Sequence, residues 1–262
     1  MVIEFTIVIP IYNQATTLET KFWRFIEWID AFTGEHPRMS ERLEVVFAED
    51  GSTDGSLGII KQLLPDFSCH SRVIHSNTRL GKGGGFRKGF EAARGKYVIL
   101  YDTDMAVSPD QIPRLFNYLK KGHDIVVGSR KHEDTTLYNL PTFTRYVYGV
   151  LLGLLARFMF HFPFGETQCG FKGFNKETCE GIIKSMEIDG WLFDLELLFR
   201  AYISGLDIIE IPVTYVYIKE TQIHNVRDPV RILKDLLKMR VKLFSSYPLP
   251  FMSGKRKSIK QA

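Results

Sequence analysis

Tyr97-Val98-Ile99-Leu100-Tyr101-Asp102-Thr103-Asp104 joins a short apolar run to an Asp-x-Asp pair. The run has the length and composition of a buried strand. Residues two apart on an extended chain point the same way, so both carboxylates are presented together where the strand meets solvent. Like charges so close repel, and they are costly to keep ionised without something positive between or beside them. A hard divalent cation that takes oxygen ligands and also binds phosphate answers that need. Taken alone, the pair reads equally well as a solvated turn. Its neighbours decide.

On the N-terminal side, Ile3 to Pro10 reads as a buried strand, and Leu18, Phe22, Phe25, Ile26 and Ile29 recur at helical spacing after it. Leu43 to Phe47 is a second strand, closed by Glu49-Asp50-Gly51-Ser52-Thr53-Asp54-Gly55. A helix through Ile59, Ile60, Leu63 and Leu64 follows, then a short strand at Val73-Ile74, and Gly81 to Gly85 opens another helix. Beyond the Asp pair, Ser108-Pro109-Asp110 carries a cap, a first-turn proline and an acid suited to the helix dipole. Ile112, Leu115, Phe116 and Leu119 give that helix its buried face, and Ile125 to Val127 is the next strand.

This alternation predicts an α/β fold, a Rossmann-like, mostly parallel sheet with helices on both faces. Ligands of such sheets bind beyond the carboxyl ends of the strands. Pro10 to Gln14, Glu49 to Asp54, Asn77 to Lys82 and Asp102 to Asp104 all fall at those ends, four polar loops on one rim. The glycines form neither a Walker A loop nor a dinucleotide fingerprint, which argues against a kinase, an ATPase or an NAD enzyme.

With 262 residues, 45% of them hydrophobic, the chain can bury a real core. Its three cysteines include no Cys-x-x-Cys pair, so neither a disulfide framework nor a zinc site is expected. The start Met1-Val2-Ile3-Glu4 lacks the features of a signal peptide, and a cytoplasmic setting is expected. Seven of the basic residues and no acidic one lie between Leu236 and Ala262. The first 235 residues therefore carry −3 against +4 for the whole. Basic residues beside Leu243, Phe244, Tyr247, Leu249 and Phe251 read as a membrane-surface anchor, with a solvated tail or a nucleic-acid patch as the alternative. Tyr146 to Phe164 is long and apolar, but Arg157 and His161 interrupt it and Pro163 ends it. Amphipathic helices lying in a headgroup region are preferred over plain core helices, and a spanning helix comes last.

Six motifs occur in one order: Val8-Ile9-Pro10-Ile11-Tyr12-Asn13, Glu49 to Asp54, Gly81-Lys82-Gly83 with Arg87, Asp102-Thr103-Asp104, Val127-Gly128-Ser129-Arg130 and Gln168-Cys169-Gly170-Phe171-Lys172. Together they resemble the family 2 inverting glycosyltransferases with a GT-A fold. Gln168 to Lys172, Trp191-Leu192-Phe193-Asp194-Leu195-Glu196 and Arg227-Asp228 followed by Leu236-Leu237 and Arg240 narrow the resemblance to polyprenyl-phosphate (dolichyl-phosphate) glucosyl- and mannosyltransferases. The resemblance implies a transferase domain over 1–235, with interface helices within 140–165 and a basic, membrane-proximal tail over 236–262.

The resemblance also assigns residues. Pro10, Tyr12, Asn13, Gln14, Asp50, Lys82, Asp102, Thr103, Asp104 and Arg130 are expected to bind a UDP- or GDP-linked sugar. Asp102 and Asp104 would hold Mg2+ or Mn2+. Arg145, Lys172 and Arg227 are the cations expected at an acceptor phosphate, and Asp104, Lys172 and Asp194 the catalytic residues. Gln14, Ala106 and Glu220-Thr221-Gln222 depart from the family pattern.

The expected reaction moves a hexose, with inversion, to a polyprenyl phosphate at the cytoplasmic face of a membrane. The enzyme would be peripheral or interfacially anchored, and no nucleic-acid partner is expected. A phosphate monoester has a second pKa near 6, so such an acceptor needs cationic placement more than a general base. The rival readings are a family 2 transferase acting on a sugar hydroxyl in polysaccharide synthesis and a non-catalytic membrane-bound homologue.

Overall fold

The apolar runs fold as strands because each is flanked by turn residues, and all but the half-buried Val73-Ile74 run at the sheet edge are buried on both faces. In the computed structural model, residues 2–142, 147, 149–151, 153–155, 164–218, 234–241 and 260–261 are described. Strands β1 (Phe5–Ile11), β2 (Leu43–Glu49), β3 (His70–His75), β4 (Tyr97–Tyr101) and β5 (Ile125–Ser129) alternate with helices α1 (Ala15–Glu35), α2 (Ser56–Leu63), α3 (Lys82–Ala92) and α4 (Ile112–Lys120). After β5 come β6 (Thr136–Tyr138), β7 (Phe171–Asn175), β8 (Ile208–Pro212), β9 (Thr214–Val216) and β10 (Lys260–Gln261), with helices Lys176–Lys184 and Phe193–Ile203 between β7 and β8.

The main sheet has the order β10-β8-β5-β7-β4-β1-β2-β3, and β6 pairs with β9 beside it. Every pairing in the main sheet is parallel except those of β7, which runs antiparallel to both β4 and β5. Phe22 and Phe25 of α1, Ile60 of α2 and Leu115 of α4 pack on one face, while Phe86 and Phe90 of α3 pack with Phe193 and Leu197 on the other. The expected doubly covered sheet is therefore present.

Two departures have physical reasons. Sequence Phe171-Lys172-Gly173-Phe174-Asn175 carries neither a polar alternation nor an apolar run, so β7 has no strand signature, yet Lys172 is paired internally and the strand can be buried. Ser108 makes no side-chain cap; a 3-10 turn at Pro109–Gln111 leads into α4 instead. Within the expected interface segment Val150, Leu151 and Leu154 are exposed, Leu155 packs against the core and Phe164 is buried in it, whereas 143–146, 148, 152 and 156–163 lie outside the described residues. Among the described residues, no helix is long and apolar enough to cross a membrane.

Candidate active site

The four rim loops are stitched together by hydrogen bonds. Asn13 sits at φ 49°, a left-handed conformation that Asn tolerates. Its N–H donates to Ser52 Oγ at 3.0 Å and its Oδ1 accepts the Thr53 N–H at 2.9 Å. Gln14 N–H donates to Ser56 Oγ, and Ala15 N–H to Asp54 Oδ2, both at 2.9 Å. Asp54 thus caps α1 from a neighbouring loop, the service that Gln14 at the N-cap does not provide with its own side chain. Buried Asp50 reaches the glycine turn, its two oxygens accepting the N–H groups of Leu80 (2.6 Å) and Gly81 (2.8 Å). Burial raises its pKa, and these two bonds offset only part of that. Pro10 is the penultimate residue of β1 at the rim, and the Arg79 guanidinium lies 4.1 Å from the centre of the Tyr12 ring.

Next along the rim stands the Asp pair. Tyr101 is buried and donates its hydroxyl to Val107 O at 2.6 Å, which closes the 102–107 turn. Within it, Met105 N–H donates to Asp102 O and Asp104 Oδ1 accepts the Ala106 N–H at 3.0 Å. Asp102 Oδ2 accepts from Lys82 Nζ at 2.8 Å, and the same ammonium lies 5.3 Å from the Trp191 ring centre. Burial tends to lower the Lys82 pKa, but the carboxylates of Asp102, Asp194 and Asp104 outweigh it and raise the net value. Asp104 is pushed up by burial first and by Asp102 second. Thr103 is half-buried between the two acids. Asp104, Ala106, Gln168 and Tyr215 help line a crevice of about 30 Å³ at this point, room for a single small ligand atom or water and no more.

Lys172 departs from expectation. Its side chain is fully buried, and its ammonium is taken by Asp194 Oδ1 at 2.7 Å and Cys169 O at 2.5 Å. It does not face the rim as a cation for an acceptor phosphate, because β7 directs it into the sheet's covered face. Asp194 is buried with it; burial raises its pKa despite the opposing charges of Lys172 and Lys82. Among the described residues, the ammonium that stands beside the Asp pair at the rim is that of Lys82.

Arg130 is also committed internally. It grips Glu166 in a fork, Nε to Oε2 at 2.7 Å and Nη2 to Oε1 at 2.9 Å, and lies 5.3 Å from the centre of the Tyr215 ring. Burial works to raise the Glu166 pKa, but the Arg130 charge and fork bring it down to about 2. Glu166 Oε1 also accepts the N–H groups of Thr167 and Gln168, so this pair shapes the loop that runs into β7. Arg145, Arg227 and Glu220-Thr221-Gln222 lie outside the described residues.

Sequence reasoning missed Glu166, Tyr215 and Glu196. Glu196 clamps the loop bearing Trp191 by accepting the N–H groups of Glu187 and Ile188. Glu196 stood inside the Trp191 to Glu196 motif, but a carboxylate that accepts backbone N–H groups leaves no further signal there. Among the described residues, no three His, Cys, Asp or Glu side chains converge on a metal site. Asp102 and Asp104 nonetheless fit one half of an open site: two hard oxygen donors whose mutual repulsion a cation relieves, the remaining positions being left to phosphate oxygens.

The family model for glycosyl transferase family 2 matches residues 6–182. Glycosyltransferase AglD of Haloferax volcanii is 32% identical over 227 residues, covering 86% of this chain. The chain spans only 35% of the length of that relative. Dolichyl-phosphate beta-glucosyltransferase of Saccharomyces cerevisiae is 28% identical, with 90% of this chain and 74% of that one covered. Among solved structures, glucosyl-3-phosphoglycerate synthase from Mycobacterium tuberculosis, in complex with Mn2+, uridine diphosphate and glucosyl-3-phosphoglycerate, superposes with a TM-score of 0.62 at 16% identity, covering 92% of this chain and 79% of that one. That likeness establishes a fold shared with a GT-A-type transferase.

Proposed function

The chain belongs to glycosyl transferase family 2, and from that premise we propose that it transfers a hexose from a nucleotide-sugar donor to the phosphate of a membrane polyprenol. The observation that carries this reading is the Asp104–Asp102 pair with Lys82 beside it at the rim, backed by the buried Asp194–Lys172 pair; of these five side chains only the first three approach solvent. A relative named for dolichyl phosphate and glucose supports the acceptor and the sugar. A structural neighbour holding UDP-glucose and Mn2+ supports the donor and a divalent metal.

Asp102 and Asp104 would hold magnesium or manganese, which when bound neutralises charge gathering on the departing diphosphate. This chain's own residues supply the rest. Lys82 stands 2.8 Å from Asp102 with its charge reinforced by three carboxylates, so it is placed to meet phosphate oxygens arriving there. Tyr12 and Arg79 offer a stacked surface for the nucleoside, and Asp50 holds the glycine turn beneath it. Asp194, bound to Lys172 and buried, acts on Lys82 through its charge and is not positioned as a base that touches the acceptor. A dianionic phosphate acceptor requires no such base. Attack opposite the nucleotide inverts the anomeric centre.

The decisive experiment offers labelled UDP-glucose and GDP-mannose, with Mn2+, to membranes containing polyprenyl phosphate and separately to oligosaccharides. Transfer to the lipid phosphate with a β-linked product is the expected result. Transfer confined to oligosaccharide hydroxyls would replace this reading with the polysaccharide one.

A further inference from the structure

Two buried charged side chains occupy one row of the sheet. Lys172 on β7 and Glu210 on β8 both lie opposite Val127 of β5, so the three side chains share a face. With strands about 4.8 Å apart, their backbones are about 10 Å from each other. Each side chain reaches into the same loop, the one that enters β7. Glu210 Oε1 accepts the N–H groups of Gly165 at 2.8 Å and Glu166 at 3.3 Å, while Lys172 Nζ donates to Cys169 O at 2.5 Å. Between these tacks, Glu166 accepts from Thr167 and Gln168. Four consecutive backbone N–H groups therefore end on two buried carboxylates.

The second oxygen of Glu210 is buried and has no hydrogen-bond partner among the described residues, although the residue is only 1% exposed. An unsatisfied buried polar atom costs about 1–3 kcal/mol, and an apolar residue here would serve packing better. A carboxylate kept at that cost calls for a reason beyond stability. The loop it holds supplies one. Gly170 O accepts the Asp102 N–H at 3.1 Å, and the Gly170 α-carbon lies directly against the Asp102 carboxylate.

We propose that Glu210 is a positioning residue for the sugar-transfer site: by anchoring Gly165 and Glu166 it sets where Gly170 stands, and so where Asp102 presents its carboxylate. This rests on the reading of Asp102 as part of the donor site. Glu210 touches no reacting group and acts through the loop.

The test compares wild type, Glu210→Ala and Glu210→Gln by amide hydrogen exchange at 165–168, by Mn2+-dependent thermal stabilisation with UDP, and by kcat and KM for the sugar donor. Glu210→Ala is expected to exchange those amides at least about tenfold faster and to lose about tenfold in kcat per folded molecule. In Glu210→Gln the amide oxygen accepts the same two N–H groups, so exchange and kcat stay within about threefold of wild type, a difference under 1 kcal/mol. If Glu210→Ala does not fold, Glu210→Asp, whose oxygens withdraw by one methylene, is expected to show the same losses. Wild-type protection or wild-type kcat in the alanine or aspartate variant would overturn the proposal, as would a glutamine variant no better than alanine. Absence of sugar transfer by wild-type protein would sink the functional reading instead, and amide exchange with UDP and Mn2+ binding would still decide the role of Glu210.

Discussion

A β-carbon added to Gly170 would fall 1.8 Å from Asp102 Oδ2 and 2.0 Å from its Cγ. The backbone at Gly170 is not left-handed, so the collision is the whole effect of a side chain there. Gly170→Ala is expected to fold, because Gly170 O still accepts the Asp102 N–H, but to drive the carboxylate away from Lys82. Turnover should fall on the order of 10²-fold, the consequence of a shift of about 1 Å at a reacting site. Steady-state kinetics beside circular dichroism would check it; unchanged kinetics would free Asp102 from the role given to it.

Asp104 is disfavoured as an anion in the folded protein, since burial and Asp102 both raise its pKa. Its charge therefore costs stability at neutral pH. Asp104→Asn is expected to melt no lower than wild type in the absence of ligand, while the rise in Tm given by UDP with Mn2+ disappears. Differential scanning fluorimetry with and without EDTA distinguishes this from a structural role, in which the unliganded Tm itself would drop.

The Lys172–Asp194 pair is completely enclosed. Lys172→Met leaves a carboxylate buried without its partner and should destabilise the fold by about 3–5 kcal/mol. Joint replacement, Lys172→Met with Asp194→Leu, should recover most of that loss while remaining impaired in transfer, because Lys82 loses a supporting charge. Urea unfolding of Lys172→Met, Asp194→Leu and the double variant is the measurement, and additivity of the single effects would deny the coupling.

Acid sensitivity should trace to Glu166. Its folded pKa, about 2, lies below the ordinary value of 4.5, so the Arg130 interaction stabilises fully above about pH 5. That stability is lost as pH falls from 4.5 towards 2. Glu166→Gln should flatten this part of the stability–pH curve and lower stability at pH 7. A variant with the wild-type acid slope would assign the slope to other carboxylates.

How far the sequence could be read depended on whether a residue's partner was local. Strands β1, β2 and β4 declared themselves because Ile7, Val45 and Ile99 belong to short, predominantly apolar, β-branched runs bounded by turn residues. Asn13, Asp50 and Asp54 were legible as rim residues because turn chemistry restricts what can follow a parallel strand. Lys172 misled for the opposite reason. Its charge suggested solvent or a ligand, but the carboxylate that satisfies it is Asp194, on a helix that the local pattern around Gln168 to Lys172 does not announce. Glu166 and Glu210 were invisible on the same ground: each accepts backbone N–H groups of one irregular loop, a task that leaves no periodicity.

Strand β7 enters the sheet against the direction of its neighbours, so its first residue meets the rim where theirs end. The polypeptide leaves that rim at Ser129 and comes back to it at Phe171. Anything spliced between those points and ahead of Gly165 would leave every pairing in β1 to β4 unaltered. A lineage could thus lengthen, shorten, grease or polarise the stretch ahead of Gly165 while inheriting intact the loop that sets Asp102.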